Sequence, residues 1–137
     1  MSSANVAVID VGSNTIKLLV ANRSSDGTLT VISQISAPVR IGSGIGSDSP
    51  SITTESIQAG IVTIKQLFDE AGAHSPHLVR MVATGAVRDA SNGKQFAEEV
   101  ENATGHPLHI LSGQEEALGI ATGLMTDPLL CDLQDFL

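Results

Sequence analysis

The chain has 137 residues, of which 42% are hydrophobic and only 2% aromatic, and its formal net charge is −8. This length fits one domain with a core of Val, Ile, Leu and Ala, while the acidic balance and the scattered cations argue against binding to a nucleic acid polymer. The chain has no apolar run near the ~18 residues of a membrane span, and the single Cys131 rules out an internal disulfide, so we expect a cytoplasmic protein without membrane contact.

The first predicted elements are two buried strands, over residues 5–9 and 16–21, joined by a short turn. Both runs are apolar on both faces, which is typical of strands that are covered on both sides. Gly12, Ser13 and Asn14 in the turn provide tolerance for positive φ, side-chain donors and backbone N–H groups that can converge on an anion. The turn therefore has the composition of a phosphate-binding loop.

Asp10 ends the first of these strands. A carboxylate at the end of a buried strand is costly unless it meets a metal ion, a water molecule or a hydrogen-bond donor. A metal-bridged phosphate would supply such a partner. The alternative is an Asp that only caps its own turn.

A hairpin turn at residues 24–27 predicts a third strand over residues 28–35. Polar and apolar residues alternate along this strand, which indicates a half-exposed strand near an edge of the sheet. The glycine-rich segment 41–51 follows, and its glycine spacing differs from a dinucleotide-binding fingerprint. We interpret that segment as a surface loop.

After residue 51 the apolar period changes from 2 to 3.6, which predicts alternating helices and strands. We expect helices over 53–71, 92–104 and 112–125, with strands over 78–83 and 108–111. Three hairpin-linked strands followed by alternating helices and strands match a ribonuclease-H-like α/β fold. Such a fold has a mixed β-sheet with helices on both faces.

Two later segments contain further candidate site residues. Arg88 follows the fourth predicted strand, where open α/β sheets place ligands, and its guanidinium can bind phosphate bidentately. An ion pair with Asp89 is the alternative. Ser112 and Glu115 have the spacing of a capping box, which gives Glu115 a structural role. Glu116 could deprotonate a water molecule, or it could only stabilise the helix dipole.

Residues 8–15, 83–90 and 111–117 together resemble, in the same order, motifs of the exopolyphosphatase/guanosine pentaphosphate phosphohydrolase (Ppx/GppA) family. This family belongs to the superfamily of acetate and sugar kinases, actin and related chaperones. The resemblance implies a first phosphate loop made of Gly12, Ser13, Asn14 and Thr15. It also implies that Asp10 lies on the side of a bound Mg²⁺, that Arg88 holds a phosphoryl oxygen, and that Glu116 is the general base.

The resemblance also sets an expectation for the domain organisation. Family members continue into a second phosphate loop and a second domain, and neither is recognisable within residues 1–137. We therefore expect residues 1–137 to form the amino-terminal domain of a two-domain phosphatase, with little activity alone, because half a phosphate clamp leaves one side open to water. A homodimer is one assembly that this expectation leaves open.

The function that the resemblance implies is release of terminal phosphate by base-activated water, with Mg²⁺ as cofactor. The substrate would be inorganic polyphosphate or guanosine pentaphosphate, and the sequence does not choose between them. The alternative is a non-catalytic phosphate- or nucleotide-binding domain of the same superfamily.

Overall fold

The computed structural model describes residues 3–41 and 51–115. Its elements in chain order are β1 (Ala4–Val11), β2 (Thr15–Arg23), β3 (Leu29–Pro38), α1 (Thr54–Gly72), β4 (Leu78–Ala83), α2 (Ala86–Asp89), α3 (Gly93–Thr104) and β5 (Leu108–Ile110). The predicted order of three strands followed by alternating helices and strands is confirmed. Several strand bounds differ from the prediction by one to three residues, β3 for example continuing to Pro38, and α2 is a short helix that the sequence pattern does not predict.

The five strands form one mixed sheet in the order β3-β2-β1-β4-β5. Strands β1, β2 and β3 pair antiparallel, whereas β4 lies parallel to β1 and β5 lies parallel to β4. The predicted ribonuclease-H-like sheet is confirmed, and so is the edge position of β3. The carboxyl ends of β1, β4 and β5 consequently lie at the same edge of the sheet, because these three strands run in the same direction.

One face of the sheet packs against both long helices. Successive side chains of a strand point to opposite faces, and Ile9 and Val11 of β1 join the main apolar cluster with Ile64 of α1 and Phe96 of α3. Leu19 on β2 is also buried but lies outside this cluster. The predicted helix over 112–125 falls largely outside the described residues. Within that range, the structure describes residues 113–115 as helical.

Local signals explain where α1 begins. The hydroxyl of Thr53 accepts a hydrogen bond from the Ser56 N–H at 3.1 Å, and Glu55 adds negative charge to the first turn, where the helix dipole favours it. Within residues 3–41 and 51–115, no helix has both the length and the apolar character that crossing a membrane requires.

Candidate active site at the carboxyl edge of the sheet

The turn between β1 and β2 is closed by a hydrogen bond from the Gly12 N–H to the Thr15 carbonyl, at 3.0 Å. A Cβ on Gly12 would lie only 3.1 Å from that carbonyl oxygen. Among the glycines in residues 3–41 and 51–115, positive φ occurs at Gly27, Gly85 and Gly105. Gly12 therefore does not use the positive φ that glycine tolerates, and its lack of a Cβ instead allows the close approach of two backbone segments.

Asp10 is buried at the end of β1, with 6% of its surface exposed. It lies directly opposite Lys17 on β2 and beside Val82 on β4. Directly opposite residues share a face of the sheet, so the Asp10 and Lys17 side chains lie on the same face. Lys17 was missed as a site candidate, although the length of the hairpin turn fixes this pairing in the sequence.

The second candidate segment begins where β4 ends. The Thr84 N–H donates to the Val11 carbonyl at 3.2 Å, and Thr84 itself is buried. Two residues later, the Ala86 N–H donates to the Ser13 hydroxyl oxygen at 3.2 Å. The structure thus brings the β1–β2 turn into contact with the start of α2.

Arg88 lies within α2, two residues after that contact. Its side chain is partly exposed, and its Nε lies 3.6 Å from the Asp89 carboxylate. The ion pair considered as an alternative is therefore present. Exposed pairs of this kind contribute only about 0–1 kcal/mol, so this contact does not prevent the guanidinium from binding a phosphate.

The third candidate segment is joined to the same edge by the Leu111 N–H, which donates to the Ala83 carbonyl at 2.9 Å. The predicted capping box is confirmed. The Glu115 N–H donates to the Ser112 hydroxyl and the Ser112 N–H donates to the Glu115 carboxylate, each at 3.0 Å. His109 also contacts this carboxylate at 3.2 Å. The Ser112 N–H, and then His109, lower the pKa of Glu115 from its ordinary value.

Glu116 lies outside the described residues, so its closeness to Asp10 stays a prediction. The other predicted site residues are placed as follows. Asp10 lies at the end of β1, the turn residues Gly12, Ser13 and Asn14 follow it, Thr15 begins β2, and Arg88 lies in α2. The contact between Ser13 and Ala86 joins the turn to α2. The sequence pattern does not identify Gly85 and Ala86 as site residues, because their contacts with Ser13 depend on how β4 packs beside β1.

A magnesium site here would depend on few protein ligands. The described parts of the chain contain no group of three or more His, Cys, Asp or Glu side chains able to hold a metal ion. Mg²⁺ commonly binds through one or two carboxylates, with water and substrate phosphates completing its shell. The buried Asp10 beside a candidate phosphate loop fits that donor set.

An open groove of about 740 Å³ lies at the opposite end of the sheet, lined in part by Asn5, Asn22, His74 and His77. Asn5 lies near the start of β1, so this groove is remote from the candidate site. Two of its side chains are hydrogen-bonded within the protein: the Asn22 side-chain amide donates to the Asn5 side-chain Oδ1 at 2.9 Å, and the Asn5 side-chain amide donates to the His74 backbone carbonyl at 2.8 Å.

Comparison with known proteins relates the chain to one phosphatase family. The model of the Ppx/GppA phosphatase family matches residues 19–128. The chain is 31% identical over 123 residues to a guanosine-5'-triphosphate,3'-diphosphate pyrophosphatase of Vibrio parahaemolyticus, and the match covers 90% of this chain and 24% of that protein. The chain thus spans about a quarter of the length of the curated relatives it matches.

Solved structures share the fold. An exopolyphosphatase from Cytophaga hutchinsonii superimposes with a TM-score of 0.80 at 26% identity, over 88% of this chain and 38% of that chain. A Ppx/GppA family member from Aquifex aeolicus has a TM-score of 0.81 at 24% identity, over 92% of this chain and 41% of that chain.

Proposed function

This chain belongs to the Ppx/GppA phosphatase family, and from that premise we propose that it forms the amino-terminal, phosphate-binding part of a phosphoanhydride hydrolase. The proposed substrates are guanosine pentaphosphate and inorganic polyphosphate. One observation carries the proposal: the hydrogen bond from the Ala86 N–H to Ser13 joins the candidate phosphate loop to the helix that contains Arg88. A loop and a cation held together in this way can bind a phosphoryl group from one side.

The proposed roles follow from the chemistry of each group. In the loop over residues 12–15, Gly12 closes the turn and backbone N–H groups of residues 13–15 hold phosphoryl oxygens, while Arg88 binds one of these oxygens. Asp10 would hold Mg²⁺, which when bound neutralises charge on the phosphate oxygens. Glu116 takes a proton from water as the water oxygen bonds to the terminal phosphorus and the anhydride P–O bond breaks.

We propose that residues 1–137 act as a domain that needs further protein to complete the site. Phosphoryl transfer depends on charges that surround the phosphate, and this edge of the sheet supplies them from one side. We propose the cytoplasm as its compartment because Cys131, the single cysteine of the sequence, cannot form an internal disulfide.

The test is a chimera in which this chain replaces the matching 123 residues of the Vibrio parahaemolyticus pyrophosphatase. Phosphate release from guanosine pentaphosphate and from polyphosphate is measured with Mg²⁺ for the chimera, for its Arg88→Ala variant and for the isolated chain. We expect turnover by the chimera, a loss of roughly 10²- to 10³-fold in Arg88→Ala, and little turnover by the isolated chain.

Cooperative thermal unfolding of the chimera serves as the control for folding. A folded chimera that hydrolyses neither substrate would contradict the proposed activity. Tight binding of tripolyphosphate by such an inactive chimera would instead favour the non-catalytic phosphate-binding alternative.

A further inference from the structure

The hydrogen bond between Ser13 and Ala86 joins residues that are 73 positions apart in the sequence. Close to it, a second long-range bond runs from the Thr84 N–H to the Val11 carbonyl. Together these bonds attach the start of the β1–β2 turn to the segment that leads into α2. Only the bond to Ser13 depends on a side chain, so a substitution can remove it selectively.

Gly85 lies between the two donors and is adapted to this contact. Its backbone has φ 53° and ψ −110°, a conformation that L side chains rarely adopt. A Cβ at this position would lie 2.8 Å from the Ser13 hydroxyl oxygen. Both the backbone conformation and the approach of Ser13 therefore require glycine.

We infer that Ser13 is a positioning residue whose hydroxyl holds the phosphate loop at a fixed distance from Arg88. The inference rests on the proposed function, because it concerns how the two proposed phosphate-binding elements are kept together. The hydroxyl oxygen accepts the Ala86 N–H, so Ser13 acts on a bound phosphate through the position of the loop relative to Arg88 rather than by direct contact.

The first experiment measures amide hydrogen exchange at Ala86 in the 137-residue chain without ligand. Ser13→Ala is expected to speed exchange by roughly 2- to 10-fold, the loss of one hydrogen bond, whereas Ser13→Thr retains protection because it keeps the hydroxyl. Ser25→Ala, at an exposed serine in the β2–β3 turn, is the matched control and should leave Ala86 unchanged. Unchanged exchange in Ser13→Ala would overturn the inference.

The second experiment measures the Kd of inorganic tripolyphosphate for the same chain. Because a positioning residue acts through Arg88, Ser13→Ala should weaken binding about tenfold when Arg88 is present and less than about twofold in the Arg88→Ala background. Ser13→Thr should restore the parent Kd. An equal loss in both backgrounds would identify Ser13 as an independent ligand and overturn the inference, as would failure of the parent chain to bind tripolyphosphate.

Gly85→Ala gives an independent check of the geometry. It should weaken tripolyphosphate binding at least as much as Ser13→Ala does, whereas Gly105→Ala should leave binding unchanged. Gly105 also has positive φ, at 76°, but a Cβ on this residue would meet no atom within 4 Å. Equal Kd values for the two glycine variants would contradict the inference. These readouts involve no hydrolysis, so an inactive chimera would overturn the proposed function while leaving them intact.

Discussion

At the scale of single residues, Glu115 near the start of the last described helical segment has a structural role. Glu115 completes the capping box with Ser112 and also contacts His109. Glu116, the proposed general base, follows it directly in the sequence. Substitutions at these two neighbouring positions can therefore test the structural role and the proposed catalytic role separately.

We predict opposite effects for substitutions at these two positions in the chimera. Glu116→Gln keeps the size and polarity of the side chain but cannot accept a proton, so turnover should fall by roughly 10²- to 10⁴-fold with little change in melting temperature. Glu115→Ala should lower the melting temperature and leave turnover largely intact in the folded fraction. Phosphate release and thermal melts measure both. Near-parent turnover by Glu116→Gln would show that another residue is the base.

The capping box also makes stability depend on pH. The pKa of folded Glu115 lies below its ordinary value of 4.5, chiefly because the carboxylate accepts the Ser112 N–H and then because of His109. A carboxyl group whose pKa is lowered by folding stabilises the folded state above its unfolded pKa, and this contribution disappears as pH falls through the folded pKa.

We therefore predict that the advantage in melting temperature of the parent over Glu115→Gln shrinks as pH falls below 4.5. The Ser24 hydroxyl and then the Thr28 N–H lower the pKa of Asp26 to about 2, but Asp26 is present in both proteins and cancels in the difference. A difference that stays constant across this range would contradict the assigned role of the Glu115 charge.

At the scale of elements, the corner between α2 and α3 fixes the helix that contains Arg88. A Cβ on Gly93 would lie 2.2 Å from the Val87 carbonyl oxygen. The side chain of the preceding Asn92 binds both backbone groups of Ile52: its Oδ1 accepts the Ile52 N–H at 2.8 Å and its Nδ2 donates to the Ile52 carbonyl at 2.9 Å. The corner is thus attached both to α2 and to the segment before α1.

We predict that Gly93→Ala destabilises the chain by about 1–3 kcal/mol, because the neighbouring atom is backbone and cannot move away easily. Gly72→Ala is the matched control at the end of α1, where nothing lies within 4 Å of the Cβ position. That change should be neutral or stabilise by up to about 1 kcal/mol. Urea denaturation measures both variants, and equal free energies of unfolding would contradict the close contact between α2 and α3.

At the scale of the whole molecule, a single apolar cluster joins the sheet to both long helices. Phe96 of α3 is fully buried in it. Helix α1 comes close to the side chains of Ile41 and Phe96 at Gly60, where a Cβ would lie 2.8 Å from Ile41 and 3.2 Å from Phe96. Phe96 has the largest volume of the fully buried side chains that the structure describes.

We predict that Phe96→Ala lowers the free energy of unfolding by about 3–5 kcal/mol, since it leaves a cavity that the packed elements cannot close. Val62→Ala on α1 is the control, because Val62 is 57% exposed. Its effect should stay within about 0.5 kcal/mol. Chemical denaturation of the 137-residue chain measures the two changes, and a small loss for Phe96→Ala would mean that the core is not organised around this ring.

The sequence by itself determined the features that depend on near neighbours in the chain. The order of the strands and helices follows from apolar periodicity, and the capping box of Ser112 and Glu115 follows from a spacing of three residues. The pairing of Asp10 with Lys17 belongs to the same class, because a hairpin of fixed length sets its own register. Such contacts form within a few residues, so a local pattern is enough to encode them.

Only the tertiary structure decided which distant segments meet. It placed β4 beside β1, and this neighbour relation brings Ala86 to Ser13 and makes Gly85 necessary. No local pattern encodes these contacts, because each depends on how the apolar faces of the sheet and helices pack and on which backbone atoms that packing brings together.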